Sequence, residues 1–219
     1  MDQNKFFNLQ DVNIFANPSR IIIAGYSNSG KSEMCKKLIL KYEKQFDHII
    51  YCGVDSHELQ NSNIKHKFQT YNHIVNPFDH VELIDRGLLI VIDDLFEEAI
   101  NTKSIVDTFT KGRHKKISVV FITQNIFANG KYSRSIALNT SHFILMRNRD
   151  LAQVENIGRQ VYGKGKSGIL VEIYKKALSY NKYGYLLIDL SPNTPTDLQL
   201  RTNIVNETEY EVVFQGVLD

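Results

Sequence analysis

The chain has 219 residues, 42% hydrophobic and 23% charged, which suits one α/β domain with a substantial buried core. A formal net charge of +2 excludes bulk positive charge as the means of holding a polyanion, so any nucleic acid must be met by local basic patches. Two cysteines, Cys35 and Cys52, form no disulfide or metal pattern and imply a reducing compartment. The polar start Met1–Lys5 does not resemble a signal peptide, and no apolar run approaches membrane-spanning length. A soluble protein with no membrane contact of its own is expected.

Taken in chain order, Ile21–Ala24 is a short β-branched run that stops at Gly25 and reads as a buried strand. Met34, Leu38 and Tyr42 then recur every four residues with lysines on the other face, which predicts an amphipathic helix. His48–Cys52 reads as a second strand, and residues 53–75 carry no assignable element. Asn76-Pro77 is a break before a short helix over Phe78–Asp85. Leu88–Ile92 is the third strand, Phe96–Thr110 a helix, Ile117–Ile122 the fourth strand and Phe143–Met146 the fifth. Leu151–Val161 reads as a helix, Gly184–Leu190 as a further strand and Ser191–Pro195 as a turn cluster. Strands alternating with helices predict a mostly parallel sheet covered on both faces. A single domain over 1–219 is expected, with a core from about 20 to 190 and a C-terminal appendage over 191–219.

Gly25-Tyr26-Ser27-Asn28-Ser29-Gly30-Lys31-Ser32 fits the pattern Gly-x-x-x-x-Gly-Lys-Ser, and it stands between a predicted strand and a predicted helix, as a Walker A loop must. Glycines let backbone N–H groups turn inward around phosphates, and the helix N-terminus adds a positive dipole end. Lys31 should reach the β- and γ-phosphates of ATP, and Ser32 should ligate Mg²⁺. Asp93 and Asp94 follow an apolar strand, the Walker B pattern, which delivers carboxylates to the ligand-binding edge of an open sheet. Asp93 is expected to hold Mg²⁺ and Asp94 to orient the attacking water. Thr123-Gln124-Asn125 ends the fourth strand. If that strand lies between the Walker A and Walker B strands, Gln124 faces the γ-phosphate. Such an inserted strand separates water-activating motor ATPases from nucleotide kinases.

The order Walker A, Walker B, Ile117–Asn125, then Ile136–Ile144 resembles the FtsK–HerA superfamily of DNA-pumping ATPases. Within it, Gly130–Arg134 and the closing run Tyr183–Asn203 resemble the genome-packaging ATPases of double-jelly-roll DNA viruses, virophages and Polinton/Maverick elements. The likeness spans about Arg20 to about Val205. One departure is Asp94, which stands where cellular members usually carry Glu; the shorter side chain requires the water to sit nearer the strand. The resemblance implies an additional-strand P-loop NTPase that hydrolyses ATP and pumps double-stranded viral DNA into a preformed capsid. It would act as a homo-oligomeric ring against capsid or portal-vertex proteins, at the site of virion assembly in an infected cell. It also implies an arginine supplied by the neighbouring subunit. Arg113, in Lys111–Lys116, is the first candidate, with Arg147 and Arg149 as rivals. Basic residues at Lys111–Lys116, Lys131 with Arg134, and Lys164 with Lys166 could line a DNA channel through phosphate contacts. Another DNA motor (a helicase or segregation pump) and a nucleotide kinase are the competing readings. The tail Glu211–Gly216 resembles a viral cysteine-protease cleavage site, but a plain edge strand or an untidy terminus is the preferred explanation.

Overall fold

A computed structural model describes residues 4–7, 13–15, 18–53, 64, 67–83, 86–205 and 211–215. Its strands are β1 (Asn4–Phe7), β2 (Arg20–Ala24), β3 (His48–Cys52), β4 (Phe68–Tyr71), β5 (Leu88–Ile92), β6 (Ile117–Thr123), β7 (His142–Met146), β8 (Tyr185–Asp189), β9 (Leu200–Thr202) and β10 (Glu211–Phe214). The α-helices are α1 (Lys31–Tyr42), α2 (Phe96–Ala99), α3 (Lys103–Lys111), α4 (Ser133–Asn139), α5 (Ala152–Tyr162) and α6 (Ser167–Ser179). These strands form one sheet in the order β1-β10-β9-β8-β7-β2-β6-β5-β3-β4. From β7 to β4 every pairing is parallel; from β7 through β8, β9 and β10 to β1 every pairing is antiparallel. The expectation of a mostly parallel sheet holds for the six-strand half, while β8–β10 and β1 form an antiparallel wing.

The central strands are apolar at nearly every position because both faces are covered. The period of two still sorts their side chains. Ile21 and Ile23 of β2, Val120 and Ile122 of β6 and Ile144 of β7 join Met34, Cys35, Leu38 and Ile39 of α1. Ile22, Phe121 and Phe143 point the other way and pack with Ile105 and Phe109 of α3, Ile136 of α4, Val154 of α5 and Leu170 of α6. Cys35 and Cys52 are buried and free, one in each of these cores.

Three differences from the sequence reading have identifiable causes. The single helix expected over Phe96–Thr110 is two. The Ile100 carbonyl accepts the Tyr132 N–H at 2.9 Å and the Asn101 side chain accepts the Lys131 N–H at 3.1 Å. That approach of residues 130–132 is so close that a Cβ on Gly130 would lie 2.3 Å from Ile100 Cδ1. Leu200–Thr202 and Glu211–Phe214, within the segment set apart as an appendage, are β9 and β10. Arg201, fully buried in β9, donates to Asp189 of β8 at 2.6 Å and lies 3.5 Å from Glu211 of β10. A strand with a charged centre gives no apolar pattern; its partners come from the two adjacent strands. Finally, Glu211–Phe214 is not an edge strand, and Gly216 lies outside the described residues. The strand is buried, with β9 on one side and β1 on the other. Residues 53–75, given no element in the sequence reading, contain β4, while 54–63, 65 and 66 lie outside the described residues. The helix expected over Phe78–Asp85 is a 3₁₀ helix, Pro77–Leu83.

Candidate functional site

The strand register sets the site. Ala24 pairs with Thr123 on one side and with Leu145 on the other, while Ile92 pairs with Phe121. The loops that follow β2, β5, β6 and β7 therefore leave the sheet at the same edge, the carboxyl edge at which open α/β sheets bind ligands. Within the order β7-β2-β6-β5, the Thr-Gln strand β6 lies between the Walker A strand β2 and the Walker B strand β5. The condition set for Gln124 is met. Its side chain is exposed at this edge, one residue beyond β6.

The loop between β2 and α1 is sewn to its neighbours. The Gly25 N–H donates to the Thr123 carbonyl at 3.2 Å and the Tyr26 N–H to the Arg147 carbonyl at 3.1 Å. A side chain at Gly25 would meet Ser29 Oγ at 2.6 Å and Met146 Cβ at 2.8 Å, so only glycine fits. Asn28 (φ 62°) and Gly30 (φ 96°) take left-handed backbone, the conformation these two residue types tolerate best. No side chain caps α1, which leaves its first-turn N–H groups for a ligand. Ser29 Oγ is buried without a partner. An uncapped helix start and an orphaned buried hydroxyl are what an anion-holding loop leaves open, so these residues fit a nucleotide's phosphates.

Lys31 folds back over the loop, its Nζ donating to the Tyr26 carbonyl at 3.0 Å. Burial pushes its pKa down, while Asp93 and Asp94 pull it up. Asp93 is buried, and its Oδ2 accepts from Ser32 Oγ at 3.0 Å and from the Tyr51 hydroxyl at 2.6 Å. Burial raises the Asp93 pKa; the Tyr51 and Ser32 bonds work against that rise. Ser32 and Asp93 form the hydroxyl-plus-carboxylate donor set that Mg²⁺ takes together with phosphate oxygens. Among the described residues no group of three or more His, Cys, Asp or Glu side chains could hold a metal ion. Asp94 is exposed and has φ 58°, an uncommon backbone for a residue with a Cβ and one that concentrates at functional sites.

Two supporting residues carry no sequence motif. Tyr51 sits on β3, which pairs with β5, and the register places it opposite Val91, two residues before Asp93. Gln153, on α5, accepts the Ile126 N–H at 3.0 Å and donates to the Gln124 carbonyl at 3.3 Å, fixing the backbone on both sides of Asn125. A tyrosine in a buried strand and a glutamine on a helix look ordinary until the fold juxtaposes them.

The arginine candidates separate in space. Arg147 and Arg149 follow β7 beside the chain's own P-loop, with the Arg149 guanidinium 5.4 Å from the Tyr26 ring centre. Arg113 lies in the 3₁₀ turn Gly112–Lys115 that leads into β6, at the edge opposite the P-loop. A seven-residue strand stands between Arg113 and that edge, roughly 23 Å at about 3.3 Å per residue, so Arg113 cannot reach its own nucleotide site. Lys111–Lys116 share this far edge; Lys131 and Arg134 are exposed at the start of α4, and Lys164 and Lys166 stand between α5 and α6.

A strand-inserted parallel sheet with a Walker A loop, a buried Asp93 hydrogen-bonded to Ser32 and a second carboxylate define a P-loop ATPase of the additional-strand type. The Poxvirus A32 protein family matches residues 5–191, and the chain belongs to that family. The same fold is found in the genome packaging NTPase B204 from Sulfolobus turreted icosahedral virus 2. Its sulfate complex aligns with a TM-score of 0.57 at 15% identity, covering 81% of this chain and 94% of that one. Its complex with ATP-gammaS gives 0.57 at 15% identity over 81% and 95%. B204, the DNA-packaging ATPase from Sulfolobus Turreted Icosahedral Virus, gives 0.54 at 16% identity over 81% and 96%. No curated protein sequence matches the chain. Among the described residues no helix is long and apolar enough to cross a membrane.

Proposed function

We propose that this packaging ATPase works as a single-domain subunit of a homo-oligomeric ring that drives double-stranded viral DNA into a preformed capsid, against capsid or portal-vertex proteins, during virion assembly in the infected cell. The observation that carries the reading is the position of β6 between β2 and β5, which brings Gln124 to the same sheet edge as Lys31, Asp93 and Asp94. That edge serves hydrolysis by water rather than phosphoryl transfer to a second nucleotide.

In this reading the residues 25–32 cradle the triphosphate of ATP, and Lys31 leaves its contact with the Tyr26 carbonyl to meet the β- and γ-phosphates. Ser32 and Asp93 would hold Mg²⁺, which would supply positive charge against the phosphates. Tyr51 keeps the Asp93 carboxylate turned toward Ser32. Asp94 accepts a hydrogen bond from the attacking water and Gln124 orients it. The water oxygen bonds to the γ-phosphorus as the bond to the β–γ bridging oxygen breaks, giving ADP and phosphate. Arg113, too far from its own site, faces a neighbour's nucleotide across a ring interface. Sequence-independent DNA contacts come from Lys111–Lys116 and Lys131–Arg134 acting on phosphates rather than bases.

The test is ATP hydrolysis against protein concentration, with long duplex DNA present or absent, at two salt concentrations. Turnover per subunit should rise with concentration and with duplex, and the DNA effect should fall steeply with salt, as phosphate contacts release counterions. Turnover that is flat with concentration and indifferent to DNA would overturn the DNA-driven ring.

A further inference from the structure

The groups that handle the γ-phosphate all lie on one side of the P-loop, toward β6 and β5. On the other side, toward β7 and β8, a cavity of about 600 Å³ opens beside the loop. Its walls come from Glu33, Met34 and Lys37 of α1, Met146 at the end of β7, and the turn Asn181–Tyr183 that precedes β8. Pockets for small organic ligands span about 300–1,000 Å³, so the volume suits a nucleoside.

The direction of the phosphate chain makes the placement specific. Lys31 reaches the β- and γ-phosphates, and the loop and the first turn of α1 cradle the α- and β-phosphates. With Asp93 and Gln124 fixing the γ end on the β6 side, the ribose and base must leave on the β7 side, where the cavity lies. Tyr183 stands at that exit. It is 53% exposed, unusual for an aromatic ring seated against a loop. Its Cδ1 lies 3.2 Å from the point a Gly30 Cβ would occupy, so the ring abuts the phosphate loop itself. The turn that carries it is rigid. The Gly184 N–H donates to the Asn181 carbonyl at 3.0 Å, Asn181 Nδ2 donates to Asn203 at 3.2 Å, and any side chain at Gly184 would strike the Leu178 carbonyl oxygen at 2.6 Å.

We propose that this cavity holds the nucleoside of ATP and that Tyr183 is its stacking platform. The inference rests on the P-loop reading above, and the experiment separates the two. Binding of ATP and of inorganic tripolyphosphate to the full chain is measured by calorimetry for wild type, Tyr183→Ala, Tyr183→Phe and Lys31→Ala. Loss of base stacking should weaken ATP binding about tenfold in Tyr183→Ala, with tripolyphosphate binding unchanged and Tyr183→Phe close to wild type. Lys31→Ala should weaken both ligands, which tests the phosphate cradle alone. Unchanged ATP affinity in Tyr183→Ala overturns the proposal. So does an equal loss for ATP and tripolyphosphate, which would mean that the ring only buttresses Gly30.

Discussion

Gln153 is a residue through which the loop proposed to orient the water can be disturbed without replacing Gln124 itself. Replacing it by alanine removes two hydrogen bonds, one accepted from the Ile126 N–H and one donated to the Gln124 backbone carbonyl, at a position only 8% exposed. Each bond contributes about 1 kcal/mol net, and the stranded Ile126 N–H adds its own desolvation cost, so Gln153→Ala should lose about 2–3 kcal/mol of stability. For a chain of 219 residues that lowers Tm by roughly 4–12 °C. The catalytic effect should be larger than this suggests, since a misplacement of about 1 Å can cost about a hundredfold in rate. The assay is a double-mutant cycle on kcat, well below the lowered Tm, with Gln124→Ala as the second substitution. Gln124→Ala should itself reduce kcat more than it raises KM. If Gln153 acts by placing Gln124, the double variant should be no slower than Gln124→Ala alone. Rate losses that multiply would refute this reasoning and make Gln153 a purely structural residue.

Lys31→Ala should abolish hydrolysis, whereas Asp94→Asn should keep nucleotide affinity and stop turnover; nucleotide binding and phosphate release distinguish them, and normal turnover in Asp94→Asn would remove it from the catalytic role. Arg113→Ala and Lys31→Ala subunits, each inactive alone, should regain activity when mixed, because an intact loop can then receive Arg113 from a Lys31→Ala neighbour. A trans arginine is worth about 10³–10⁵ in rate, and mixed rings that stay inactive would turn attention to Arg147 and Arg149. Burial alone would raise the Asp189 carboxyl, but the His142 bond and charge and the Arg201 guanidinium outweigh it and hold it at about 2 against an ordinary 3.8. A depressed carboxylate stabilises the fold above its unfolded pKa and loses that contribution as pH falls through the folded one. Unfolding free energy should therefore drop by about 2 kcal/mol more in wild type than in Asp189→Asn between about pH 4 and pH 2; parallel curves would show that Asp189 is not the titrating group.

What could be read without coordinates was local. Gly25–Ser32 is contiguous, its residue types are dictated by a turn around phosphate, and its flanking strand and helix announce themselves by period. Leu88–Ile92 with Asp93 and Asp94 is likewise one segment, and β3 and β5 match their sequence-derived bounds because a strand buried on both faces must be apolar throughout. The position of β6 between β2 and β5 was a condition that the residues could state but not decide, since strand order is set by how helices on both faces close over the sheet. The same holds for Tyr51 on Asp93, Gln153 beneath Gln124, and Arg201 between Asp189 and Glu211. Each joins residues distant along the chain, and each partner is unremarkable in its own segment. Sequence determined the chemistry of the nucleotide loop because backbone conformation there depends on neighbours along the chain. Only the tertiary structure decided which edge each charge occupies, because that depends on strand order: it put Arg147 and Arg149 beside the P-loop and Arg113 a full strand away from it.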